Sequence, residues 1–288
     1  MLLYYIITPI LIGLSYLPTT VLYWLSDGLA FLLNRVIGYR KKVVIANLKL
    51  AFPEKSDDEI NQIKNEFYTH LTDRVVEYIK TISLSHKELM QRVNLVTPVS
   101  YFDEKMQTKQ PIVVLCSHIG AWEWSGHSPS LVLPQDFYGV YTAMSNKLFN
   151  DFFLRTRKKY KMNWLATHQA SAFLKQVKKE SAIYIFISDQ SPNKPEKGYW
   201  GKLFGVDTNF WRGGVKFAIE QDAALIYAKI IQTKRGFYTI ETVELAAHAA
   251  QFSEAELINL YSQHLETQIR ENPSDWLWSH KRWKHKKV

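Results

Sequence analysis

The chain is predicted to be an α/β protein with a mostly parallel central sheet flanked by helices, preceded by a membrane-associated helical segment. Three observations predict this class: an apolar start, a helical stretch after it, and short apolar strands alternating with helices from about residue 93. The 288 residues are 47% hydrophobic, which is enough for a sizeable core. We expect an anchor at 1–42 and a main domain at 43–288, helical over 43–92 and α/β over 93–288.

The first 42 residues are apolar but interrupted. "MLLYYIITPILIGLSYLPTTVLYWLSDGLAFLLNRVIGYRKK" has no Lys or Arg before Arg35, and Pro9, Gly13, Pro18 and Asp27 break the apolar run. Because a membrane-spanning helix needs roughly 20 apolar residues, we expect about two helices lying in, or partly entering, one leaflet. A single crossing and an ordinary buried hairpin are the alternatives. Aromatic and basic side chains favour the interface and anionic lipid, and the residues expected there are Tyr4, Tyr5, Trp24, Arg35, Arg40, Lys41 and Lys42.

The charge balance and the cysteine count limit the classes of function. The chain has 36 Lys and Arg against 27 Asp and Glu, which suits nucleic acid, an anionic membrane or a phosphorylated substrate. No recognisable nucleic-acid module is present, so nucleic-acid binding is not expected. The only cysteine, Cys116, lies in an apolar run, so an intramolecular disulfide is excluded and a small buried residue is expected rather than a nucleophile.

The periodicity of the main domain defines its elements. Ser56 is the expected N-cap of a long helix with acidic residues in its first turn, and Ser253 that of a last helix that stops before Pro273. The segments "PIVVLCSH", "SAIYIFISDQ", "AALIYAKII" and "FYTIETVEL" are predicted strands, and "FLKQVKKE" and "KFAIEQ" are predicted helical. We expect the tail "WLWSHKRWKHKKV" to dock at the membrane interface or against the body.

His118 ends the segment "PIVVLCSH", and Glu123 follows five residues later, past the end of the strand. Ligand sites of open α/β sheets collect at the carboxyl ends of the strands. Residues five apart on a continuous helix point in different directions, so a His118–Glu123 pair needs a turn, which Gly120 is placed to provide. The prediction is that Glu123 orients the imidazole and that His118 activates a hydroxyl as a general base. The alternative is that both residues lie on a solvated loop and have no catalytic role. No metal is expected, because the zinc-protease pattern is absent.

Three further groups of residues accompany this pair. Asp189 and Gln190 follow the strand "SAIYIFIS" at the same expected edge of the sheet. Basic residues of "NDFFLRTRKKYKMNWL" are expected to hold a phosphate or a phosphopantetheine-bearing donor, although a solvated basic face is an equal alternative. The tryptophans beside Glu123 are expected either to line an acyl channel or to pack in the core. The predicted substrate-binding residues are Trp122, Trp124, Arg155, Lys158, Gln190 and Arg212.

The sequence resembles the lipid A biosynthesis lauroyl/myristoyl acyltransferases of the lysophospholipid acyltransferase superfamily. Five segments carry the resemblance in order: "GYRKKVVIANLKLAFPEKS", "VVLCSHIGAWEW", "LRTRKKYKM", "ISDQSP" and "DWLWSHKRWK". The wording of "ISDQSP" is most similar to versions from the Bacteroidetes. The chain has Lys161 where relatives often carry glycine. It has Ile226-Tyr227-Ala228 at the position where, in relatives, a proline often follows the apolar run of the strand.

The resemblance implies an acyltransferase domain at 43–288 that moves an acyl group from an acyl carrier protein or coenzyme A thioester to a lipid hydroxyl. It implies His118 as base, Glu123 as its orienting acid, Arg157 (or Arg155) as the essential arginine and Asp189 as an essential aspartate. No cofactor beyond the donor is implied. The expected partners are an anionic lipid acceptor and an acyl carrier protein, at the cytoplasmic face of the bacterial inner membrane.

Other functions remain open from the sequence. The acceptor is expected to be a lipid A precursor, but an aminolipid, a glycolipid or an aryl-polyene-type acceptor is also conceivable. A non-catalytic protein that binds anionic lipid would use the same anchor and basic residues without His118. A membrane-associated hydrolase would use the same histidine on water.

Overall fold

A computed structural model of the chain describes residues 2–176 and 181–287. The eleven α-helices of this part are α1 (Leu2–Ser15), α2 (Thr19–Phe31), α3 (Lys41–Ala51), α4 (Asp57–Lys80), α5 (His86–Arg92), α6 (Val99–Gln107), α7 (Trp122–Val132), α8 (Lys147–Arg157), α9 (Thr167–Gln176), α10 (Gly213–Glu220) and α11 (Glu254–Glu271). A π-helix, Leu32–Ile37, extends α2. Residues 177–180, part of the predicted helix "FLKQVKKE", lie outside the described residues.

The strands of the described residues are β1 (Val93–Leu95), β2 (Ile112–Cys116), β3 (Phe137–Tyr141), β4 (Met162–Ala166), β5 (Ile183–Ile187), β6 (Gly198–Leu203), β7 (Val206–Trp211), β8 (Ala224–Lys234) and β9 (Phe237–Ala246). Seven of them form the central sheet in the order β1-β9-β8-β2-β5-β3-β4. Five neighbours, β8-β2-β5-β3-β4, are parallel, β9 runs antiparallel to β8, and β6 and β7 form a separate hairpin. The prediction of a mostly parallel sheet flanked by helices is confirmed.

The predicted caps of the two long amphipathic helices are also confirmed. The Ser56 side chain accepts a hydrogen bond from the backbone N–H of Glu59, and the Glu59 carboxylate accepts one from the backbone N–H of Ser56. Ser253 and Glu256 form the same capping box at the start of α11. Each box satisfies two backbone donors that the helix cannot pair internally.

The amino-terminal helices pack against α4 and expose many apolar side chains. Leu22, Tyr23, Ser26 and Ala30 of α2 are buried, whereas Trp24 and Phe31 of the same helix are 68% and 64% exposed. Large exposed apolar residues of α1 and its end are Leu3, Tyr5, Ile6, Ile10, Ile12 and Tyr16. Within the described residues, no helix combines the length and the apolar character needed to cross a membrane. The membrane association of this segment therefore remains a prediction.

Candidate active site

The parallel pairing of β2 and β5 brings His118 to Asp189. Cys116, the last residue of β2, pairs with Ile187, the last residue of β5. Each strand is followed by a buried serine, Ser117 or Ser188, and then by the functional residue. The two strand ends are therefore in register, and Nδ1 of His118 lies 2.7 Å from Oδ1 of Asp189.

Asp189 is a buried carboxylate with several hydrogen-bond donors. Its Oδ2 accepts hydrogen bonds from the backbone N–H of His118 at 3.1 Å and from the indole N–H of Trp276 at 2.8 Å. Burial raises the pKa of Asp189, but the charge of His118 and these hydrogen bonds outweigh burial and hold the pKa below its usual range. Asp189 is therefore ionised at neutral pH.

The ionised carboxylate sets the tautomer of the histidine. A carboxylate only accepts hydrogen bonds, so Nδ1 of His118 carries the proton that lies between the two residues. Nε2 then has a free lone pair, and the side-chain nitrogen of Gln190 lies 3.4 Å from it. His118 thus has the geometry of a general base whose reactive nitrogen is Nε2.

The predicted His118–Glu123 hydrogen bond is not formed, and the carboxylate that meets Nδ1 of His118 is that of Asp189. Gly120 does supply the expected turn, with φ +58°, and α7 begins two residues later at Trp122. A Cβ at Gly120 would lie 2.8 Å from a methyl group of Ile230, so the chain approaches β8 too closely for a larger residue. Glu123 lies in the first turn of α7 and pairs with Arg157 of α8.

Arg157 is held rigidly by three neighbours. Its Nε and one terminal nitrogen donate to the two oxygens of Glu123 at 3.1 and 2.5 Å, and the same terminal nitrogen lies 3.0 Å from the Tyr78 hydroxyl. The guanidinium stacks on the Trp164 ring at 4.4 Å. Burial raises the pKa of Glu123, and the charge of Arg157 opposes that rise. The pair fixes one cation at a defined position beside the reaction site.

His127, the second histidine of α7, is a core residue. It is fully buried, its ring stacks on Tyr160 with centroids 4.1 Å apart, and its Nε2 lies 3.7 Å from Glu123. Burial, with the charges of Arg157 and Lys159, holds its pKa well below the usual value. His127 is therefore neutral at neutral pH.

An apolar cavity of about 370 Å³ begins at His118 and runs over one face of the sheet. Alternate residues of the strands point to one face, and successive lining pairs come from β2, β5 and β8: Val114, Cys116, Ile185, Ile187, Ile226 and Ala228. The lining also includes Ile183 and Phe137, which pair with each other at the opposite end of their strands. The cavity therefore extends roughly 13 Å along the strands from the histidine.

The chemistry of the cavity suits a hydrocarbon chain. Its volume lies within the range of small-molecule sites, about 300–1,000 Å³, and its lining is mainly aliphatic and aromatic. The charged and polar residues of the lining include His118, Glu123, Arg157 and Gln190, as well as Ser125, Thr142, Asn150 and Thr242. Such a site places the reactive end of an apolar substrate beside a base and a cation.

Comparison with protein families gives a match over nearly the whole chain. The family described as bacterial lipid A biosynthesis acyltransferase matches residues 1–285. The chain belongs to this family. The protein is therefore an acyltransferase, and membership implies transfer of an acyl group from a donor to a lipid acceptor. A search of curated proteins found no match.

The structure of this lipid A biosynthesis acyltransferase sorts the predicted substrate-binding residues into two groups. Trp122 and Gln190 line the cavity, and the Trp122 ring meets the His118 ring edge-on at 5.1 Å. Trp124 is not among the residues that line this cavity, and its buried indole N–H donates to the backbone oxygen of Glu77 and to Thr81. Its predicted alternative, core packing, is what the structure shows.

The three predicted basic substrate-binding residues lie outside the cavity lining. The Arg155 side chain is exposed and donates to the Tyr4 hydroxyl at 3.1 Å, which joins α8 to α1. Lys158, the residue after α8, is exposed. Arg212 pairs with Glu254, and its role in substrate binding stays a prediction.

The carboxyl-terminal tail of the acyltransferase supplies site residues that the sequence analysis did not single out. Trp276 pairs with Ile119 in an isolated antiparallel bridge and donates to Asp189. His280 accepts a hydrogen bond from the backbone N–H of Ser191, and the buried Arg282 donates to the Ser191 hydroxyl. Of the two predicted locations for the tail, the structure shows packing against the body. Tyr78, which contacts Arg157, was also missed.

No metal site is evident in the described part of the chain. Residues 2–176 and 181–287 contain no group of three or more His, Cys, Asp or Glu side chains placed to bind an ion. Cys116 is buried, as expected, and burial raises the pKa of its thiol above the usual range. Its thiolate is therefore not formed at neutral pH.

Proposed function

We propose that this acyltransferase moves a fatty acyl group from an acyl carrier protein or coenzyme A thioester to a hydroxyl of a lipid A precursor, without a further cofactor. The observation that carries the proposal is the His118–Asp189 pair at one end of an apolar cavity. The family match supports acyl transfer to a lipid. The pair supplies the base, and the cavity supplies a dry place for the acyl chain.

The reaction begins with removal of a proton from the acceptor. Nε2 of His118 takes the proton of the hydroxyl, and Asp189 stabilises the resulting imidazolium through Nδ1. The acceptor oxygen attacks the thioester carbonyl and forms the new ester C–O bond. The C–S bond breaks, and the imidazolium returns its proton to the sulfur, which leaves as a thiol.

Arg157 stabilises the negative charge that develops on the carbonyl oxygen. The guanidinium lines the cavity and is held by Glu123, so it needs little rearrangement when the charge forms. In this proposal Glu123 is a positioning residue for Arg157. A preorganised donor of this kind contributes a factor of about 10²–10³ in rate.

We further propose that the protein works at the cytoplasmic face of the bacterial inner membrane. The exposed apolar side chains of α1 and α2 support contact with the acyl region of a bilayer. The exposed cations Arg35, Lys41 and Lys42 follow these helices and suit anionic lipid headgroups. An acyl carrier protein or coenzyme A would approach from the aqueous side.

Lipid analysis tests the proposed function. We expect cells that express the protein to contain a lipid species heavier by one acyl group than the species in cells without it. The His118→Ala variant should lose this product, because a general base contributes about 10²–10⁴ in rate. Mass spectrometry of extracted membrane lipids identifies the acceptor and the chain together. Equal amounts of product from wild type and a folded His118→Ala variant would refute the assignment.

A further inference from the structure

A second apolar space lies on the other side of Trp122. This space, here called the outer groove, has a volume of about 440 Å³ and lies between α1, α4 and the beginning of α7. Its apolar lining includes Leu11, Leu71, Val75, Tyr78 and Ile79 of α1 and α4, together with Ala121, Trp122, Trp124 and Phe153. Val75 is 42% exposed, so the groove opens to the outside of the protein along α4. The cavity that begins at His118 is called the inner cavity below.

The outer groove and the inner cavity share a wall. Trp122, Glu123 and Phe153 line both spaces. The Trp122 ring lies 5.1 Å from the His118 ring, and the Phe153 ring lies 5.0 Å from that of Tyr78. The two spaces therefore approach each other beside His118, at the beginning of α7.

Acyl transfer from a thioester to a lipid needs room for two hydrocarbon chains. The thioester carbonyl must lie beside His118, so the chain attached to it extends into the inner cavity. A lipid acceptor brings its own chain to the same point, and exposing that chain to water is unfavourable. The inner cavity is then occupied, so the acceptor chain needs a second apolar surface that reaches the reaction site.

We propose that the outer groove binds a hydrocarbon chain of the acceptor lipid. This inference rests on the proposed function, because it assumes a lipid hydroxyl as the acyl acceptor. The shared wall gives the groove its link to the reaction site. Its volume is within the usual range for a ligand site. Leu11 also joins it to α1, whose exposed Ile10 and Ile12 lie on either side of Leu11 in the chain.

The charges around the groove agree with an apolar occupant. Of the charged groups in its lining, Arg74 donates to the backbone oxygens of Gly120 and Asp275, and Glu77 accepts hydrogen bonds from Tyr23 and Tyr238. Glu123 is paired with Arg157. Each of these side chains is bonded within the protein, and the remaining polar atoms Arg74 Nη1 and Glu77 Oε2 are buried, so the surface left for a ligand is mainly hydrocarbon.

A bulky side chain at Val75 tests the proposal. The Val75→Trp variant places an indole in the groove without touching the inner cavity. Val99→Trp is the matched control, because Val99 is also 42% exposed and lies on α6, outside the lining of the groove. The assay uses the full chain in detergent micelles with a 3-hydroxyacyl lipid A precursor as acceptor and an acyl carrier protein thioester as donor.

We expect Val75→Trp to raise the KM for the acceptor by about tenfold, which corresponds to lost burial of about two methylene groups. The KM for the thioester and its slow hydrolysis without acceptor should stay at the wild-type values. Val99→Trp should change neither KM. An unchanged acceptor KM in a folded Val75→Trp variant overturns the proposal. Loss of vesicle binding with an unchanged acceptor KM also overturns it and assigns the groove to a bilayer lipid.

Photochemical labelling separates this proposal from the proposed function. A long-chain alcohol bearing a diazirine is bound to the protein whose inner cavity is filled with acyl thioester. We expect labels on α4 near Leu71 and Val75, and less labelling in Val75→Trp. Labels confined to the strands would overturn the groove proposal. If wild type transfers no acyl group to the precursor, the proposed function fails, while the labelling still decides what the groove binds.

Discussion

At the scale of single residues, the identity of the acid on His118 determines which tautomer the base adopts. Asp189 accepts hydrogen bonds from Nδ1 of the His118 ring and from the His118 backbone N–H, so it holds both the ring and the main chain of this residue. Glu123 instead holds Arg157 through two hydrogen bonds. The two carboxylates therefore have separate tasks, one for the base and one for the cation.

Replacing each carboxylate by its amide distinguishes these tasks. We expect Asp189→Asn to lower kcat by about 10⁴, because the amide can donate to Nδ1 and leave the proton on Nε2. Glu123→Gln should weaken the hold on Arg157 while leaving the pH dependence of kcat in its wild-type form. Steady-state kinetics over a range of pH measures both effects. Near-normal kcat in Asp189→Asn would contradict the assignment of Asp189 as the orienting acid.

Trp276 is predicted to keep Asp189 ionised. Trp276→Phe removes the indole N–H that donates to Oδ2 but retains an aromatic ring. A hydrogen bond to a charged group stabilises the charge, so its loss raises the pKa of Asp189. The wild-type pKa is lowered, so the variant should lose activity at a higher pH than wild type as the pH falls.

The measurement for Trp276→Phe is the acid limb of the pH profile of kcat/KM. Trp278→Phe serves as the control, because the indole of Trp278 donates to the backbone oxygen of Pro273 and not to Asp189. An acid limb that stays in place in Trp276→Phe, or moves equally in both variants, would show that Trp276 has only a packing role.

At the scale of elements, buried polar contacts fasten α2 to α4 and to the turn between β8 and β9. Ser26 donates to Asp73 at 2.6 Å, and Arg235 pairs with both Asp73 and Asp27. Tyr23 of α2 and Tyr238 of β9 both donate to Glu77, at 2.7 and 2.8 Å. The amino-terminal helices are thus joined to the sheet by specific hydrogen bonds as well as by apolar packing.

Glu77 at this junction is predicted to make stability depend on pH. Burial raises its pKa to about 7, with a further rise from Asp73, while the two tyrosine hydrogen bonds and Arg74 oppose it. The folded protein therefore binds a proton that the unfolded chain has already released between about pH 4.5 and 7. The contribution of Glu77 to the free energy of unfolding is complete below this pH window and is lost as the pH rises through it, by at most about 1.4 kcal/mol per pH unit.

The test is the free energy of unfolding of wild type and Glu77→Gln between pH 4.5 and 8. Glutamine stays neutral, so the stability difference between the two proteins should shift in favour of the variant as the pH rises towards 7. Above pH 7 the difference should become constant. Parallel curves over the whole range would contradict a raised pKa at Glu77.

At the scale of the whole molecule, the sequence predicts the sheet edge better than the contacts made there. Apolar strands followed by polar residues identify His118 and Asp189 as residues of one edge, because parallel strands end on the same side. Glu123 was the natural partner for His118 by distance along the chain. The strand order places β5 beside β2, and the periodicity of the sequence within each strand does not predict that order.

One feature of the sequence could have predicted the His118–Asp189 contact, because each functional residue lies the same number of positions after its strand. In both segments a serine separates the last strand residue from the functional one, as in Cys116-Ser117-His118 and Ile187-Ser188-Asp189. Two neighbouring parallel strands with equal offsets place those residues side by side. The role of Trp276 had no such signal, because it depends on how the carboxyl-terminal tail crosses the body.

The distribution of charge and apolar surface predicts how the whole protein meets a bilayer. Lys42 is exposed and follows the apolar amino-terminal helices. Lys109 precedes β2 and so lies near the opposite edge of the sheet from His118.

A lysine near an anionic surface contributes about 1 kcal/mol, so Lys42→Gln should weaken binding to vesicles with anionic lipid about fivefold. Lys109→Gln should leave vesicle binding unchanged, because the edge of the sheet near Lys109 lies away from the amino-terminal helices. Vesicle sedimentation at two salt concentrations measures both variants, and the difference should shrink at high salt. Equal weakening by the two substitutions would mean that net charge, rather than the face formed by the amino-terminal helices, governs binding.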